Sequence, residues 1–171
     1  PSKLGKAQRA ENYAKQYIKF CENTFSKKLS LKGLTIVLDC ANGATYHIAP
    51  IIFSNLGANI IIVNDKPDGL NINKKAGSVY PKNLQAAVNL HNADMGIAFD
   101  GDGDRVIMVD ENGTLVDGDQ LLYLIMQFYI KEGYEFGGVV GTYMTNLAFE
   151  EKCKMQSIPF TRANVGDRYV S

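Results

Sequence analysis

The stretch Ala98-Phe99-Asp100-Gly101-Asp102-Gly103-Asp104-Arg105 places three carboxylates at alternate positions, separated only by glycines. Glycine adopts backbone angles that are closed to other residues, so the chain can curl and direct the three side chains at one point. Oxygen-only, anionic ligands suit a hard divalent cation such as Mg²⁺, with Mn²⁺ or Ca²⁺ next, and disfavour Zn²⁺. The stretch therefore predicts a metal site whose ligands are Asp100, Asp102 and Asp104.

Arg105 follows the last of these aspartates directly. Its planar guanidinium matches the oxygens of a phosphate group, and three carboxylate ligands leave coordination positions of the cation open. An open cation beside such an arginine is more typical of a site that handles phosphoryl groups than of a closed structural ion site. We therefore predict that Arg105 contacts a phosphate.

Other kinds of loop share parts of this pattern. An Asp-Gly run is most often a plain turn, but a turn does not need three carboxylates in register with an arginine. The acidic residues also match the calcium loop of helix-loop-helix proteins, with Glu111 at its twelfth position. That loop requires a glycine at its sixth position, which is Arg105 here, and it is flanked by helices. A phosphatase superfamily with a nucleophilic aspartate fits Asp100 and Asp102, but its usual Thr or Val two residues further on is Asp104.

Composition limits the classes of function. Of the 171 residues, 18 are basic and 18 acidic, so no excess of charge points to nucleic acid or to an anionic membrane. The three cysteines lack a Cys-x-x-Cys spacing, which is typical of proteins in a reducing cytosol. Apolar runs are shorter than the roughly 20 residues that a membrane helix needs, and residues 1–3 do not begin a signal peptide. We expect a cytoplasmic protein that binds neither nucleic acid nor membrane.

Apolar runs and helical periodicity alternate along the chain, which is typical of α/β proteins. Continuous apolar runs predict strands at residues 34–39, 59–63, 95–99 and 106–110. Amphipathic patterns predict helices at residues 5–25, 48–56 and 81–90. The lack of polar alternation indicates strands that are buried on both faces, and the last strand should run antiparallel out of the aspartate loop. The predicted fold class is a three-layer α/β/α sandwich with a mixed, mostly parallel sheet, followed by the start of a second α/β domain.

The strongest boundary signal lies at residues 132–138, where three glycines follow a predicted helix over residues 120–131. We expect this apolar helix to pack against the first sheet. The residues after the glycines predict a strand, a helix and another strand. The predicted domains are therefore residues 1–136, which carry the metal site, and residues 137–171, which are the start of the next domain.

Four stretches carry a resemblance to a known family. The aspartate stretch, Asp39-Cys40-Ala41-Asn42-Gly43-Ala44-Thr45-Tyr46, Asp117-Gly118-Asp119-Gln120 and Val165-Gly166-Asp167-Arg168-Tyr169-Val170 together resemble the alpha-D-phosphohexomutases. The resemblance extends over nearly the whole chain and is most specific in the aspartate stretch. Within the family it is most similar to the bacterial members that interconvert glucosamine 6-phosphate and glucosamine 1-phosphate. Those members feed the synthesis of cell-wall precursors.

The resemblance implies a four-domain enzyme, of which this chain would be the second domain and the start of the third. In that family a phosphoserine gives its phosphoryl group to the sugar, and the second phosphoryl group of the resulting bisphosphate returns to the serine. No serine of this chain has the family's Thr-Ala-Ser-His-Asn-Pro setting. We therefore expect the catalytic serine upstream and expect the isolated chain to be inactive.

The resemblance also implies a cofactor, partners and site residues. It implies Mg²⁺ held by the three aspartates of the loop, with Arg105 beside the phosphate and with Asp167 and Arg168 in a loop that contacts the sugar. The implied partners are a phosphosugar and the rest of the polypeptide, and a homodimer stays open. Two other interpretations also stay open: a family member specific for glucose or mannose phosphates, and a non-catalytic module that binds divalent cations.

Overall fold

The computed structural model describes residues 12–171, and the chain divides between Leu115 and Val116 into two compact units. Part of the first predicted helix, at residues 5–11, lies outside the described residues. The first unit contains α1 (Tyr13–Thr24), β1 (Thr35–Asp39), a short 3₁₀ helix (Ala44–His47), α2 (Ala49–Asn55), β2 (Asn59–Val63), α3 (Lys82–His91), β3 (Met95–Phe99) and β4 (Val106–Val109). A two-residue strand, β5 (Leu115–Val116), lies at the division.

One sheet with the strand order β2-β1-β3-β4-β5 organises the first unit. β1 pairs in parallel with both β2 and β3, whereas β4 pairs antiparallel with β3, as the sequence predicted. The chain leaves β1 for β2 on one side and returns to β3 on the other, so the strand order reverses between β1 and β3. Ligands of open α/β sheets bind at such a point, outside the carboxyl ends of the strands. Here those ends are Asp39 and Phe99.

Helices cover both faces of this sheet, which explains the continuous apolar run of β1. Val37 packs on one face with Leu84 of α3, and both are completely buried. Ile36 and Leu38 pack on the other face with Ala49 of α2. Because successive strand residues point to opposite faces, a strand that is covered on both sides has no polar alternation. The predicted three-layer fold with a mixed, mostly parallel sheet is confirmed.

β2 differs from its predicted environment. The sequence indicated a strand buried on both faces, but β2 is the edge strand of the sheet, and Ile62 is 38% exposed. A run of isoleucines does not distinguish an edge strand from an inner one, because both fit a pleated apolar surface.

The second unit is built around a two-stranded parallel sheet. It contains α4 (Gly118–Glu132), β6 (Val139–Thr142), α5 (Leu147–Met155), β7 (Phe160–Ala163) and the short α6 (Asp167–Val170), with β6 paired to β7. This confirms the predicted start of a second α/β domain. Across residues 12–171, no helix of either unit is long and apolar enough to cross a membrane.

The structure corrects the predicted boundary between residues 136 and 137. Met126 of α4 is buried in a cluster with Val139, Phe149 and Cys153, all of which belong to the second unit. α4 therefore opens the second unit, whereas the sequence analysis placed it in the first domain. The physical reason is that the hydrophobic pattern of a helix shows that a face is buried, but it does not show which partner buries it.

The two ends of α4 explain why the glycine signal was misleading. Asp117 accepts the N–H of Gln120 at 2.9 Å, and the Gln120 side chain accepts the N–H of Asp117 at 2.9 Å, which forms a capping box at the start. Gly133 ends the helix in the left-handed conformation, with φ +72°. The glycines after α4 are thus a helix terminus inside a domain, and they do not form a linker between domains.

Met126→Ala tests this correction. We expect it to lower the free energy of unfolding of the second unit by about 2–5 kcal/mol, because truncating a buried side chain leaves a cavity. Met126 is 3% exposed, and its neighbour Ile125, 52% exposed, provides the matched control Ile125→Ala. Hydrogen exchange should quicken in β6 and β7 only in the Met126 variant. If exchange in β1 and β3 quickened instead, α4 would belong to the first unit.

Candidate metal centre

The predicted metal ligands lie together. Asp100, Asp102 and Asp104 can each place a carboxylate oxygen within 4.8 Å of the other two. They occupy the loop between β3 and β4, directly after Phe99 and therefore at the carboxyl end of β3. Asp100 is fully buried, whereas Asp102 and Asp104 are exposed. A cation at this point would be bound by carboxylate oxygens on the side that faces the sheet. Its coordination positions on the solvent side would stay open to other ligands.

The carboxylate of Asp100 closes the loop on itself. Its Oδ1 accepts the N–H of Gly103 at 3.1 Å and the N–H of Arg105 at 3.0 Å, and its Oδ2 accepts Nε–H of Arg105 at 2.8 Å. Gly103 adopts φ +80°, a left-handed conformation that favours glycine. The loop is thus held by a buried side chain at its first position.

The charges of the loop are not balanced by the protein alone. Burial raises the pKa of Asp100, but the hydrogen bonds from the backbone and side chain of Arg105 outweigh burial and lower this pKa to about 2. A hydrogen bond with Asp100 and the charge of Asp102 raise the pKa of Asp104 above its ordinary value. The neighbouring carboxylates thus disfavour the ionised form of Asp104, and a bound cation would offset this effect.

Arg105 is anchored through one nitrogen. Its Nε lies 2.8 Å from Asp100 Oδ2 and 3.6 Å from Asp104 Oδ1, while the side chain as a whole is 64% exposed. The carboxylates contact the Nε edge, and the guanidinium therefore lies beside the acidic cluster. This places the predicted phosphate-contacting residue next to the predicted metal ligands.

A neighbouring turn, residues 40–45, supports the loop from the end of β1. The N–H of Ala44 donates to the carbonyl oxygen of Gly101 at 2.8 Å. A methyl group at Gly43 would collide with the backbone of Gly101, so only glycine permits this approach. The sequence carried a signal for this contact in Gly43, but the partner, Gly101, lies 58 positions further along the chain and was not predictable.

The long connection between β2 and α3, residues 64–81, supports the loop from a second side. The N–H of Ser78 donates to the carbonyl oxygen of Phe99 at 2.8 Å, and the N–H of Asn73 donates to that of Ala41 at 2.9 Å. Asp39, at the end of β1, accepts the N–H of Gly77 at 3.0 Å. Sequence reasoning identified none of these contacts.

The structure places Asp167 and Arg168 in α6 of the second unit. The guanidinium of Arg168 lies over the ring of Tyr169, 5.7 Å from its centroid. The side chain of Asp167 lies outside the part of the chain that the structure describes. A sugar contact by these two residues stays a prediction.

Two family models match the chain. The model of phosphoglucomutase/phosphomannomutase alpha/beta/alpha domain II matches residues 13–113, and that of domain III matches residues 117–171. The chain belongs to the phosphoglucomutase/phosphomannomutase family. This family comprises the alpha-D-phosphohexomutases that the sequence resembles. The two matches meet where the structure divides the chain, which supports the corrected boundary.

Curated relatives within this family carry a more specific name. The phosphoglucosamine mutases of Methylobacillus flagellatus and Chromobacterium violaceum are each 57% identical to this chain over 167 residues, which is 98% of its length. The match covers 37% of the first relative and 38% of the second, so the chain spans less than two fifths of their length. At this identity and coverage, the chain corresponds to one part of these relatives.

Solved structures of the family share the fold. A phosphoglucomutase/phosphomannomutase family protein from Burkholderia thailandensis matches 90% of this chain with a TM-score of 0.74 at 23% identity, over 33% of its own length. A putative phosphomannomutase from Thermus thermophilus matches 90% of this chain with a TM-score of 0.73 at 18% identity, over 36% of its own length. These likenesses concern the fold alone.

The lowered pKa of Asp100 predicts a dependence of stability on pH in metal-free buffer. A carboxyl group whose pKa is lower in the folded state stabilises the fold above its unfolded pKa of about 3.9, and this stabilisation is lost as the pH falls through the folded pKa. The folded value is about 2. We therefore expect Asp100→Asn to lower the free energy of unfolding near pH 7, and the difference from wild type to shrink between about pH 4 and pH 2. Urea unfolding of both proteins at each pH measures this difference in free energy.

Asp104→Asn provides a control of opposite sign. The pKa of Asp104 is raised, so its ionised form destabilises the metal-free fold at neutral pH. We expect Asp104→Asn to be neutral or stabilising at pH 7 and to lose that effect below about pH 4. If Asp100→Asn lowered the free energy of unfolding by the same amount from pH 7 to pH 2, this would contradict the hydrogen bonding of an ionised Asp100.

Proposed function

We propose that this chain is the part of a phosphoglucosamine mutase that holds Mg²⁺, and that the whole enzyme interconverts glucosamine 6-phosphate and glucosamine 1-phosphate. The observation that carries the proposal is the cluster of Asp100, Asp102 and Asp104 at the point where the strand order reverses. The names of relatives that are 57% identical support the choice of sugar. The proposed location is the cytoplasm.

The donor set fits Mg²⁺. The three residues offer only carboxylate oxygens, which hard divalent cations prefer, and their oxygens lie within 4.8 Å of one another. Asp102 and Asp104 are exposed, so a phosphate group or water can complete the coordination. When bound, Mg²⁺ would stabilise the negative charge of a phosphoryl group during its transfer.

The proposed role of Arg105 follows from its anchoring. Phosphoryl transfer passes through a loose transition state, for which a protein supplies positioning and charge stabilisation more than covalent chemistry. The Nε bond to Asp100, 2.8 Å long, holds the guanidinium beside the acidic cluster. In this role the terminal nitrogens of Arg105 donate two parallel hydrogen bonds to phosphate oxygens, which a lysine does not reproduce.

Asp100 contributes to the proposed site in two ways. A carboxylate has about four lone-pair sites, so Asp100 can bind a cation while it also accepts the hydrogen bonds of Gly103 and Arg105. Those bonds fix the loop before any ligand arrives. Part of the free-energy cost of ordering the acidic residues is therefore incurred during folding and not during turnover.

The remaining chemistry is assigned to the rest of the polypeptide. The phosphoryl carrier is proposed to be a phosphoserine upstream of this chain, and no residue of the chain itself is proposed as nucleophile. Asp167 and Arg168 are proposed to contact the sugar from the second unit. The partners in this proposal are a phosphosugar and the other domains of the same protein.

A second candidate is the same reaction on glucose or mannose phosphates. The two family models carry the names phosphoglucomutase and phosphomannomutase, which favour it. The two candidates share the cation site and differ only in the sugar.

The test is a mutase assay of the full-length protein. We expect Asp102→Asn to reduce kcat for glucosamine 6-phosphate by about 100-fold or more, because it removes preorganised charge stabilisation. Asp102 is exposed, so the fold should persist, as circular dichroism would show. Glu111→Gln is the matched control, because Glu111 is an exposed acid beyond β4 and is a ligand only in the calcium-loop alternative.

The assay also separates the alternatives. An unchanged kcat in Asp102→Asn would contradict the proposed metal role, and a loss of activity in Glu111→Gln would favour the calcium loop. Faster turnover of glucose or mannose phosphates would favour the second candidate. The isolated chain should show no turnover, even with Mg²⁺ and a sugar bisphosphate, because its phosphoryl carrier lies elsewhere. Turnover by the isolated chain would point to a carrier within it.

A further inference from the structure

Asp39 is a buried acidic residue that the proposed chemistry does not use. In the described part of the chain, Asp39 and Asp100 are the buried charged residues, and both are fully inaccessible to solvent. Asp39 is the last residue of β1 and pairs with Ala98 of β3, two positions before Asp100. Burial of a carboxylate is unfavourable unless hydrogen bonds compensate for it, so its partners indicate why it is there.

Those partners are two backbone amides from separate segments. Asp39 Oδ1 accepts the N–H of Ala41 at 2.9 Å, and Asp39 Oδ2 accepts the N–H of Gly77 at 3.0 Å. Ala41 belongs to the turn at residues 40–45, and Gly77 belongs to the connection at residues 64–81. One carboxylate therefore joins the two segments that support the aspartate loop.

Each segment then holds the backbone on one side of Asp100. Ala44, in the turn, donates its N–H to the carbonyl oxygen of Gly101 at 2.8 Å. Ser78, in the connection, donates its N–H to the carbonyl oxygen of Phe99 at 2.8 Å. Phe99 and Gly101 are the residues directly before and after Asp100, so the first residue of the acidic cluster is held from both sides.

The packing leaves these segments little freedom to move. A methyl group at Gly77 would collide with the carbonyl oxygen of Phe99 and with the side chain of Ala41. Ala41 itself has φ +52°, a left-handed conformation that is unfavourable for residues other than glycine. The Asp39 carboxylate accepts the amide of this strained residue and so stabilises the turn in the conformation that reaches Gly101.

We propose that Asp39 is a positioning residue for the cation site: its carboxylate ties the turn and the connection together so that both hold the backbone around Asp100. The inference rests on the cation site of the proposed function. Asp39 is not a ligand in this account, because it lies outside the acidic cluster of Asp100, Asp102 and Asp104.

Asp39→Asn is the central variant, because it replaces one acceptor oxygen by an NH₂ group that faces a backbone N–H. The 171-residue chain is titrated with Mn²⁺, and the electron paramagnetic resonance signal of the free ion reports binding. We expect the Kd for Mn²⁺ to rise about tenfold or more, as for other residues that orient metal ligands. In metal-free protein, the amides of Gly103 and Arg105 should exchange faster.

Asp94→Asn is the matched control: Asp94 directly precedes β3 and contacts the end of β1 opposite to Asp39. Asp94 Oδ2 accepts the N–H of Thr35, the first residue of β1, at 2.7 Å. This variant also removes a carboxylate that accepts a backbone amide. It should therefore lower the stability of the unit without changing the Kd for Mn²⁺ or the exchange of Gly103 and Arg105.

A second variant keeps the proposal testable if Asp39→Asn does not fold. Ala44→Pro removes only the N–H that donates to Gly101. Ala44 is the first residue of the 3₁₀ helix and is exposed, and Gly43 before it is extended, with φ −109° and ψ −164°. Proline is compatible with the first position of a helix and with an extended preceding residue. The same rise in Kd is expected.

The outcomes are distinct. Wild-type Kd values in both Asp39→Asn and Ala44→Pro would overturn the positioning role. An equal rise in Asp94→Asn would also overturn it, because the effect would then follow from stability alone. If the wild-type chain bound no Mn²⁺, the proposed cation site would fail. The amide exchange of Gly103 and Arg105 would then still decide whether Asp39 positions the loop.

Discussion

A buried carboxylate needs hydrogen-bond donors for both of its oxygens, and Asp100 finds them in the loop that follows it. Gly103 and Arg105 donate to Oδ1, and the Arg105 side chain donates to Oδ2. These bonds require the chain to turn back within a few residues, which the glycines of the loop permit. The same turn brings the exposed carboxylates of Asp102 and Asp104 close to Asp100. The acidic cluster is therefore a consequence of satisfying one buried group.

The sheet determines where this loop stands. β1 and β3 are adjacent and parallel, so the turn that follows β1 and the loop that follows β3 leave the same edge of the sheet. Helices on both faces bury the strands and hold their ends in place. Asp39 is the last residue of β1, and Asp100 directly follows β3. These two are the buried acids of the described residues. One organises the supports of the site and the other organises the site itself.

Local patterns were predictable from the sequence, and distant pairings were not. The apolar runs of β1 and β3 predicted strands because burial on both faces requires consecutive apolar residues. The aspartate loop was recognisable because its residues are consecutive in the sequence. The assignment of α4 to the first domain was wrong, because Met126 packs with residues that follow a glycine-rich stretch. The contact of Ser78 with Phe99 could not be predicted, because an unpaired N–H in a loop gives no indication of its acceptor.

The central claim is that the three aspartates form one cation site. The most direct measurement is a crystal structure of the chain grown with Mn²⁺, with the ion located by its anomalous scattering. The account predicts one ion bound by carboxylate oxygens of Asp100, Asp102 and Asp104, with water at the remaining positions. An ion that also bound Glu111 would contradict it in favour of a calcium loop, and the absence of any ion among the three aspartates at saturating Mn²⁺ would contradict it outright.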